Sequence, residues 1–296
     1  MTLQAHTAVF ESNRPRLLGL AYRMLGSRAD AEDAVQDTFL KWQQADQGTI
    51  ENMGGWLTAI CTNRCIDMLR ASHRARVDYV GTWLPEPTPT SPFTPETERD
   101  LMLSSSLTTA FLLMLERLTP KERAAYLLHD IFEQDYAEIA ATLAMDEAAC
   151  RKLVSRAREH IQQTKVRHAT AREQQDKLLA TFQDAVETGS TERLAALLSD
   201  DIALHADGGG KATAASRVLT GKKEVMQFIE RVLMPHYRQY DWTFTDLNGG
   251  PGLVLRHNNV AVVSMSFATD TDGRTTDIYV MRNPDKLGRL DITPLQ

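Results

Sequence analysis

The first quarter of the chain repeats apolar residues at the spacing of α-helices. Residues 5–76 read as helical, and within them a helix over 29–45 has one apolar face. Ser27 stands just before that helix as a candidate N-cap, with Asp30 three residues later. Glycines punctuate the following loop, and a further helix over 56–76 comes next. The pattern therefore predicts an all-α domain at this end of the chain.

A second group of helices is predicted over residues 101–163. Thr119 begins one of them, because a proline follows at the first helical position and a glutamate stands three residues on. Asp135 repeats the capping pattern before a short helix over 136–144, and a tight turn leads into a helix over 147–163. This is the layout of a helix-turn-helix, whose second helix enters the major groove of DNA.

Alternating segments typical of strands begin after about residue 171. Three helices are still predicted among them, over 172–187, 191–198 and 222–233. The strand candidates cover residues 202–206, 242–245, 253–255, 260–267 and 276–282. Helices grouped on a strongly curved antiparallel sheet predict a small α+β domain.

Five of the eleven prolines lie between residues 78 and 100. Proline lacks the amide donor and disfavours helix in the residue before it, so this segment is predicted to be extended and semi-rigid. Trp83 is unexpected in a solvated linker, and we expect its indole to dock on another surface. The predicted organisation is an all-α domain, a linker, a second all-α domain and an α+β domain, at residues 1–77, 78–100, 101–167 and 168–296.

Composition narrows the protein class without deciding the function. The chain has 296 residues with 43% hydrophobic and 24% charged residues, which is typical of a soluble multidomain protein. No apolar run approaches the roughly 20 residues that span a bilayer, and no signal peptide is visible, so no membrane association is expected. Three cysteines are too few for a disulfide framework, and the cytoplasm is the expected compartment. The net charge of −6 makes the local placement of basic residues more informative than their total.

Basic residues decorate the predicted second helix of the helix-turn-helix. Such side chains can contact phosphates, and arginine can also read guanine. A solvated basic face is the alternative, because basic amphipathic helices are common. The candidate DNA-binding residues here are Arg151, Lys152, Ser155, Arg156 and Arg158.

The helix over 56–76 carries a second candidate DNA surface, and the helix over 29–45 carries an acidic one. By chemistry alone an exposed amphipathic helix, with Asp67 and Arg70 as an i,i+3 pair, is the favoured interpretation of the first surface. The acidic face is either solvated surface or a docking face for a partner protein. The candidate DNA-binding residues are Asn63, Arg64, Asp67, Arg70, Arg74 and Arg76. The acidic candidates are Asp30, Glu32, Asp33, Gln36 and Asp37.

Other chemical constellations are weak. Cys61 and Cys65 are spaced i,i+4 and are expected to be buried structural residues, and no histidine pair completes a zinc site. The glycine loop at 207–211 is not a P-loop, because its lysine is not followed by serine or threonine. His205 and Asp207 would share one face of a strand, which resembles an acid/base pair. No metal and no cofactor are expected.

Together these segments resemble a bacterial sigma-70-family factor of the extracytoplasmic-function (ECF) type. Residues 26–39 are similar to region 2.2, which in the family binds RNA polymerase, and residues 56–70 are similar to regions 2.3 and 2.4, which melt and read the −10 element. Residues 118–123 and the helix-turn-helix resemble region 4, which reads the −35 element. One local departure is Ala144-Met145, where the turn of the motif usually has a glycine.

Three further motifs resemble the ECF subgroup with a SnoaL-like C-terminal extension. They are Trp83-Leu84-Pro85-Glu86-Pro87 in the linker, Asp207-Gly208-Gly209-Gly210-Lys211, and Asn283-Pro284-Asp285-Lys286-Leu287. In that subgroup the extension is understood to regulate the sigma core in cis, which makes these residues interdomain or regulatory candidates.

The resemblance implies two all-α sigma domains and an α+β SnoaL-like domain with a curved antiparallel sheet. It implies a non-enzymatic initiation factor whose partners are core RNA polymerase and promoter DNA. Three alternatives stay open: a domain that senses a small-molecule ligand, an isomerase or cyclase that uses His205, Asp207 or His236, and a plain DNA-binding repressor.

Overall fold

A computed structural model describes residues 3–77, 79–90, 105–162 and 172–290. The chain divides into two compact units. Unit 1 contains Met1–Val77 and Leu112–Lys165, and unit 2 contains Asp78–Phe111 and Val166–Gln296. The described parts of the linker therefore pack with the C-terminal domain.

Unit 1 is built from helices, as its sequence pattern predicts. The first three are α1 (Leu3–Leu25), α2 (Arg28–Gln44) and α3 (Met53–Val77). The others are α4 (Thr109–Leu115), which begins in unit 2, α5 (Pro120–Tyr126), α6 (Tyr136–Leu143) and α7 (Glu147–Gln162). Among all helices that the structure describes, none is both long and apolar enough to cross a membrane.

Capping residues start these helices where the sequence predicts. The hydroxyl of Ser27 accepts from the amide of Asp30 at 3.3 Å. Thr119 and Glu122 form a complete capping box at the start of α5, and the carboxylate of Asp135 accepts from an amide in the first turn of α6. These side chains satisfy amide groups that have no partner inside the helix.

The core of helices α1 to α3 forms around tryptophan and cysteine side chains. Trp42 is 1% exposed and its ring lies 5.8 Å from that of Trp56. Cys61 and Cys65 are both completely buried and form no disulfide. The expected structural role of the two cysteines is therefore consistent with their burial.

Unit 2 contains helices and a six-stranded sheet. Its helices are α8 (Arg172–Thr188), α9 (Glu192–Leu197), α10 (Lys222–Phe228), α11 (Met234–Tyr237) and α12 (Pro284–Leu287). Its strands are β1 (Leu198–Asp207), β2 (Leu219–Thr220), β3 (Asp241–Leu247), β4 (Gly250–His257), β5 (Val260–Thr269) and β6 (Thr275–Met281).

The sheet has the order β2-β1-β6-β5-β4-β3. Strands β3 to β6 form consecutive antiparallel hairpins, which short turns allow. Strands β1 and β6 run parallel, so the sheet is mixed where a purely antiparallel one was expected. A parallel pair needs a long connection, and the whole chain from β2 to β5 lies between these two strands. The expected fold class of two all-α domains and an α+β domain is otherwise confirmed.

Both faces of this sheet carry buried side chains. Ile202 and Leu204 of β1 contribute to the apolar core against the helices, together with Phe182 of α8. The opposite face carries Tyr279 and Ser264, which are 6% and 3% exposed. Thr109 at the start of α4 reaches this second face, since its hydroxyl lies 3.0 Å from that of Ser266. The start of α4 is therefore part of the packing of unit 2.

The turn of the helix-turn-helix holds an alanine in a left-handed conformation. Ala144 has φ 50° and ψ 61° at the end of α6, where a glycine would adopt this conformation without strain. The Cβ of an L-residue costs roughly 1–2 kcal/mol there.

We expect Ala144→Gly to raise the stability of unit 1 by about 0.5–1 kcal/mol, because strain relief exceeds the added chain entropy of glycine. Thermal unfolding followed by circular dichroism measures the change. The control is Ala141→Gly, on the exposed side of α6, which should lower stability by about 1 kcal/mol. A loss of stability in both variants would contradict the prediction.

Candidate nucleic-acid interface and linker-docking site

Helix α7 has one buried apolar side and one exposed basic side. Val154 and Ala157 are completely buried against the rest of the motif. The exposed candidates on the opposite side are Arg151, Lys152, Ser155 and Arg156. Cationic side chains in this arrangement present a continuous surface to the phosphates of a duplex.

Arg158 differs from the other candidates on α7. Its guanidinium binds Asp130 through Nε at 3.0 Å and Nη2 at 2.5 Å, and Nη2 also lies 3.2 Å from His129 Nδ1. The hydrogen bond to Asp130 raises the pKa of Arg158. Its charge is therefore already neutralised within the motif.

Arg151 is exposed but also engaged. It forms an ion pair with Glu147 one turn earlier, and its guanidinium lies 4.5 Å from the centre of the Tyr136 ring. Both partners lie within the helix-turn-helix, so Arg151 remains on the exposed side of α7. Lys152, Ser155 and Arg156 lie on the same exposed side.

Helix α3 uses part of its candidate DNA surface inside unit 1. The amide nitrogen of Asn63 donates to the carbonyl of Thr142 in α6 at 3.0 Å. Arg64 pairs with Asp37 of α2 at 2.6 Å, which joins a DNA candidate to a candidate of the acidic face.

The remaining candidates on α3 are farther along the helix. Asp67 and Arg70 are 3.7 Å apart, as the i,i+3 spacing predicts. Helix α3 extends over Arg74 and Arg76, whose side chains lie outside the described residues. Two hydrogen-bonding or charged candidates of this helix, Asn63 and Arg64, are thus occupied within unit 1.

The acidic face of α2 is mostly exposed. Asp30, Asp33 and Gln36 point to solvent, while Glu32 binds Arg28 at 3.0 Å. Leu40 continues the exposed side of this helix and is 47% exposed. An exposed apolar residue beside carboxylates suits a protein docking surface.

A buried arginine joins α5 to the end of α1. Arg123 is 3% exposed and donates to the carbonyl of Met24 at 2.6 Å and to Glu116 at 2.8 Å. Met24 lies in the last turn of α1, where carbonyls lack partners inside the helix. Arg123 therefore caps α1 from the second helical group, and a cation is favourable at that end of a helix.

Asp207 is the centre of the linker-docking site in unit 2. Its carboxylate is completely buried at the end of β1. Oδ1 accepts from the hydroxyl of Tyr79 at 2.6 Å, and Oδ2 accepts from the amide of Leu84 at 2.9 Å and from Lys286 at 2.7 Å. Lys286 also donates to the carbonyl of Leu84 at 2.6 Å. Linker, β1 and α12 therefore meet at one ion pair.

Glycine and asparagine at this site allow the close approach. Gly209 has φ +59°, its amide donates to Asp207, and a Cβ there would lie 2.3 Å from the amide nitrogen of Asn283. Asn283 caps α12 and donates to the hydroxyl of Tyr79 at 2.9 Å. Any other residue type at position 209 would displace Asn283. The close approach of Asn283 therefore explains why position 209 is a glycine.

Aromatic rings enclose the lysine from the linker side. The ammonium of Lys286 lies 4.5 Å from the centre of the Trp83 ring and 5.0 Å from that of Tyr79. The expected docking of Trp83 is therefore a cation–π contact. Burial, and then the hydrogen bond to Asp207, raise the pKa of Tyr79, so its hydroxyl stays a donor at neutral pH.

The three linker and C-terminal motifs of the sequence thus meet in one place. Lys211 and Asp285 form a further ion pair at 2.6 Å, with both side chains more than half exposed. Pro85 and Leu287 are buried beside the site. Tyr79 was missed by sequence reasoning, because its hydroxyl lies outside the recognisable motif and only its spacing of four from Trp83 hints at a role.

The three residues of the possible isomerase or cyclase site, His205, Asp207 and His236, do not form one site. His205 Nε2 lies 3.2 Å from Asp277 Oδ1 on the second sheet face, and its ring stacks on Tyr279. Asp207 shares that face but is engaged with the linker, while His236 is exposed on α11. Within the described part of the chain, no three His, Cys, Asp or Glu residues gather in a way that could hold a metal ion.

Two protein-family models match the helical parts of the chain. Sigma-70 region 2 matches residues 9–75, and Sigma-70, region 4 matches residues 108–161. The first match covers α2 and nearly all of α3, and the second covers the helix-turn-helix.

Two relatives that match over nearly the whole chain are both named as ECF RNA polymerase sigma factors. The ECF RNA polymerase sigma factor SigJ of Mycobacterium tuberculosis is 34% identical over 94% of this chain and 91% of its own length. A second protein of that organism, named as a probable ECF RNA polymerase sigma factor, SigI, is 30% identical over 96% of this chain and 95% of its own. The crystal structure of SigJ matches with a TM-score of 0.72 and 29% identity, covering 98% of this chain and 100% of that one.

We expect Arg156→Ala to weaken binding to duplex DNA and to lower the slope of log affinity against log salt by about one unit. Fluorescence anisotropy titrations at several salt concentrations measure this slope. Arg158→Ala is the matched control, because its charge is already paired with Asp130 and its loss should lower stability instead. Equal changes of slope in the two variants would show that the exposed side of α7 is not the phosphate-binding surface.

Proposed function

Because the chain belongs to the extracytoplasmic-function RNA polymerase sigma factors of the sigma-70 family, we propose that it directs core RNA polymerase to specific promoters in the cytoplasm. Its acidic face on α2 docks on the polymerase. Helix α3 captures and reads the −10 element, and the exposed side of α7 contacts the −35 element. Extruding a base costs a few kcal/mol, which contacts in a pocket offset. The chain itself catalyses no reaction.

We further propose that unit 2 regulates this activity in cis through the docked linker. The observation that carries the proposal is the buried carboxylate of Asp207, which binds Tyr79, Leu84 and Lys286. A buried ion pair with satisfied hydrogen bonds fixes one geometry, and removing one partner leaves an uncompensated charge. Docking at Asp207 is therefore an all-or-none contact suited to a regulatory state.

Distance makes the docked linker incompatible with promoter binding. The −10 and −35 elements are roughly 25 base pairs apart, which is about 85 Å of B-form DNA at about 3.4 Å per pair. The described linker residues, 79–90, and the residues that lead into α4, 105–111, belong to unit 2, and a domain of that size has a radius of gyration of about 15 Å. Fully extended, residues 78–108 span about 100 Å. The linker reaches both elements only after it leaves unit 2.

Contacts inside unit 1 support the same closed state. Asn63 on the −10-reading helix binds Thr142 in the helix-turn-helix, and Arg123 caps α1. Two helices that touch at 3.0 Å cannot read elements tens of ångströms apart. Initiation therefore requires that α3 and the helix-turn-helix separate, which the polymerase drives by binding the separated arrangement more tightly.

The distribution of charge supports DNA contacts by unit 1. Unit 2 carries 22 acidic and 16 basic residues, a net charge of −6, so the whole excess of negative charge lies there and unit 1 is neutral. A net negative unit repels the phosphate backbone. This distribution supports a regulatory rather than a DNA-binding role for unit 2.

Run-off transcription with purified core polymerase tests the cis regulation. We expect Asp207→Asn to raise transcript yield several-fold, because an amide cannot compensate Lys286 and places a donor against donors, which weakens docking by roughly 1–3 kcal/mol. Lys211→Met removes the nearby exposed ion pair and should leave the yield unchanged. Unchanged or lower yield from a folded Asp207→Asn protein would contradict the proposed brake.

Separation of the two DNA-reading surfaces is measurable by energy transfer. We expect dyes at Glu11→Cys in α1 and Glu138→Cys in α6, both exposed positions, to lose transfer efficiency when core polymerase is added. The three native cysteines are buried and compete little for labelling. In the control pair, Glu11→Cys lies in α1 and Gln43→Cys lies in α2. The transfer efficiency of this pair should stay constant. Constant transfer in the first pair on the polymerase would refute the opening step.

A further inference from the structure

The linker touches unit 2 at a second place, the turn between β3 and β4. The amide of Thr88 donates to the side-chain oxygen of Asn248 at 2.7 Å, and the amide of Asn248 donates to the carbonyl of Thr88 at 2.9 Å. The amide of Thr90 donates to the carbonyl of Asp246 at 2.9 Å, and that of Gly249 donates to the Thr90 hydroxyl at 3.1 Å.

We propose that this turn is a dedicated binding site for an extended Thr-Pro-Thr segment and forms a second, separate anchor of the linker. The inference rests on the proposed cis regulation for its biological consequence. Nothing in the sequence motifs near Asp207 points to it. The recognised chemistry is an extended main chain with proline at the centre and a hydroxyl at its C-terminal end.

The pairing geometry explains the proline. Pro89 and Leu247 form an antiparallel bridge in which the hydrogen bonds run through their neighbours, Thr88 with Asn248 and Thr90 with Asp246. At such a non-hydrogen-bonded position no amide is needed, so proline loses nothing there. The linker thus adds a single β-bridge at the end of the edge strand β3, and prolines are tolerated in such an edge position.

The turn is shaped to receive this segment. Asn248 has φ +53° and Gly249 has φ +75°, which is the Asn-Gly pair that two-residue hairpin turns favour. Asn248 is 3% exposed, and it uses both its side chain and its backbone amide to satisfy the two polar backbone groups of Thr88. A residue that only closed the hairpin would not need to be buried against the linker.

The alternating prolines prepare the linker for both anchors. Pro85, Pro87 and Pro89 fix an extended backbone before docking, which lowers the entropy lost on binding. Amides remain on the residues between and beside the prolines, and those of Leu84, Thr88 and Thr90 donate to Asp207, Asn248 and Asp246. One anchor uses a buried charge and the other uses neutral hydrogen bonds.

Two anchors make release of the linker a two-step event. When one end is held, the other rebinds intramolecularly at a high effective concentration. Loss of a single anchor should therefore loosen its own segment while the other end stays docked. Full release, which promoter binding requires under the proposed function, needs both anchors to open, and weakening either anchor makes this released state more populated.

Hydrogen exchange on the full chain, read by mass spectrometry with residue resolution or by NMR, tests the second anchor. Asn248→Gly keeps the positive φ but removes the acceptor, and we expect the amides of Thr88 and Thr90 to exchange at least about tenfold faster. The amide of Leu84 should keep its protection. Thr90→Val, which keeps the shape of the side chain, should speed exchange at the amide of Gly249. Asn258→Gly makes the same change in the β4–β5 turn and should leave the linker unaffected.

The outcomes separate this inference from the proposed function. Unchanged exchange at Thr88 and Thr90 in Asn248→Gly would overturn the second anchor even if Asp207→Asn alters transcription. Complete loss of protection at Thr88 in Asp207→Asn would also overturn it, because the two anchors would then act as one. Fast exchange confined to residues 88–90 in Asn248→Gly supports it whatever the transcript yield.

Discussion

The ion pair of Asp207 and Lys286 is the constraint around which unit 2 is organised. A carboxylate fully removed from water is stable only with compensating charge and hydrogen-bond donors, and here those donors come from three separate parts of the chain. The glycines after Asp207, the cap at Asn283 and the aromatic rings of the linker each serve that one group. A buried ion pair of this kind contributes more to fixing one arrangement of its partners than to the free energy of unfolding.

The linker is consequently a structural element of unit 2 as well as a connection. Residues 84–89 are buried, and Thr109 reaches the sheet face that the helices leave open. The linker packs within unit 2 and also connects the two helical parts of unit 1. A change in its docking is therefore expected to affect both units. Under the proposed function, binding of the linker to unit 2 competes with separation of the helices that are expected to read DNA.

Contacts inside unit 1 favour the same closed state. Arg123 caps α1 from α5, and Asn63 binds Thr142, so the surfaces expected to read DNA are partly used to hold the helices together. The exposed side of α7 remains open to solvent and keeps its positive charge. The same residues therefore have one partner in the closed chain and are expected to have another on the promoter.

The sequence alone determined the elements and the family. Helix starts at Ser27, Thr119 and Asp135 depend on neighbouring residues only, and the helix-turn-helix follows from them. What the tertiary structure decided were contacts between residues far apart in sequence: the pairing of Arg158 with Asp130, the parallel strands β1 and β6, and the docking of Thr88 on Asn248. Such contacts depend on how the chain folds back, and no local pattern encodes that. Three short motifs suggested that linker and extension interact, but only folding brought Tyr79, Asp207 and Lys286 to one buried charge.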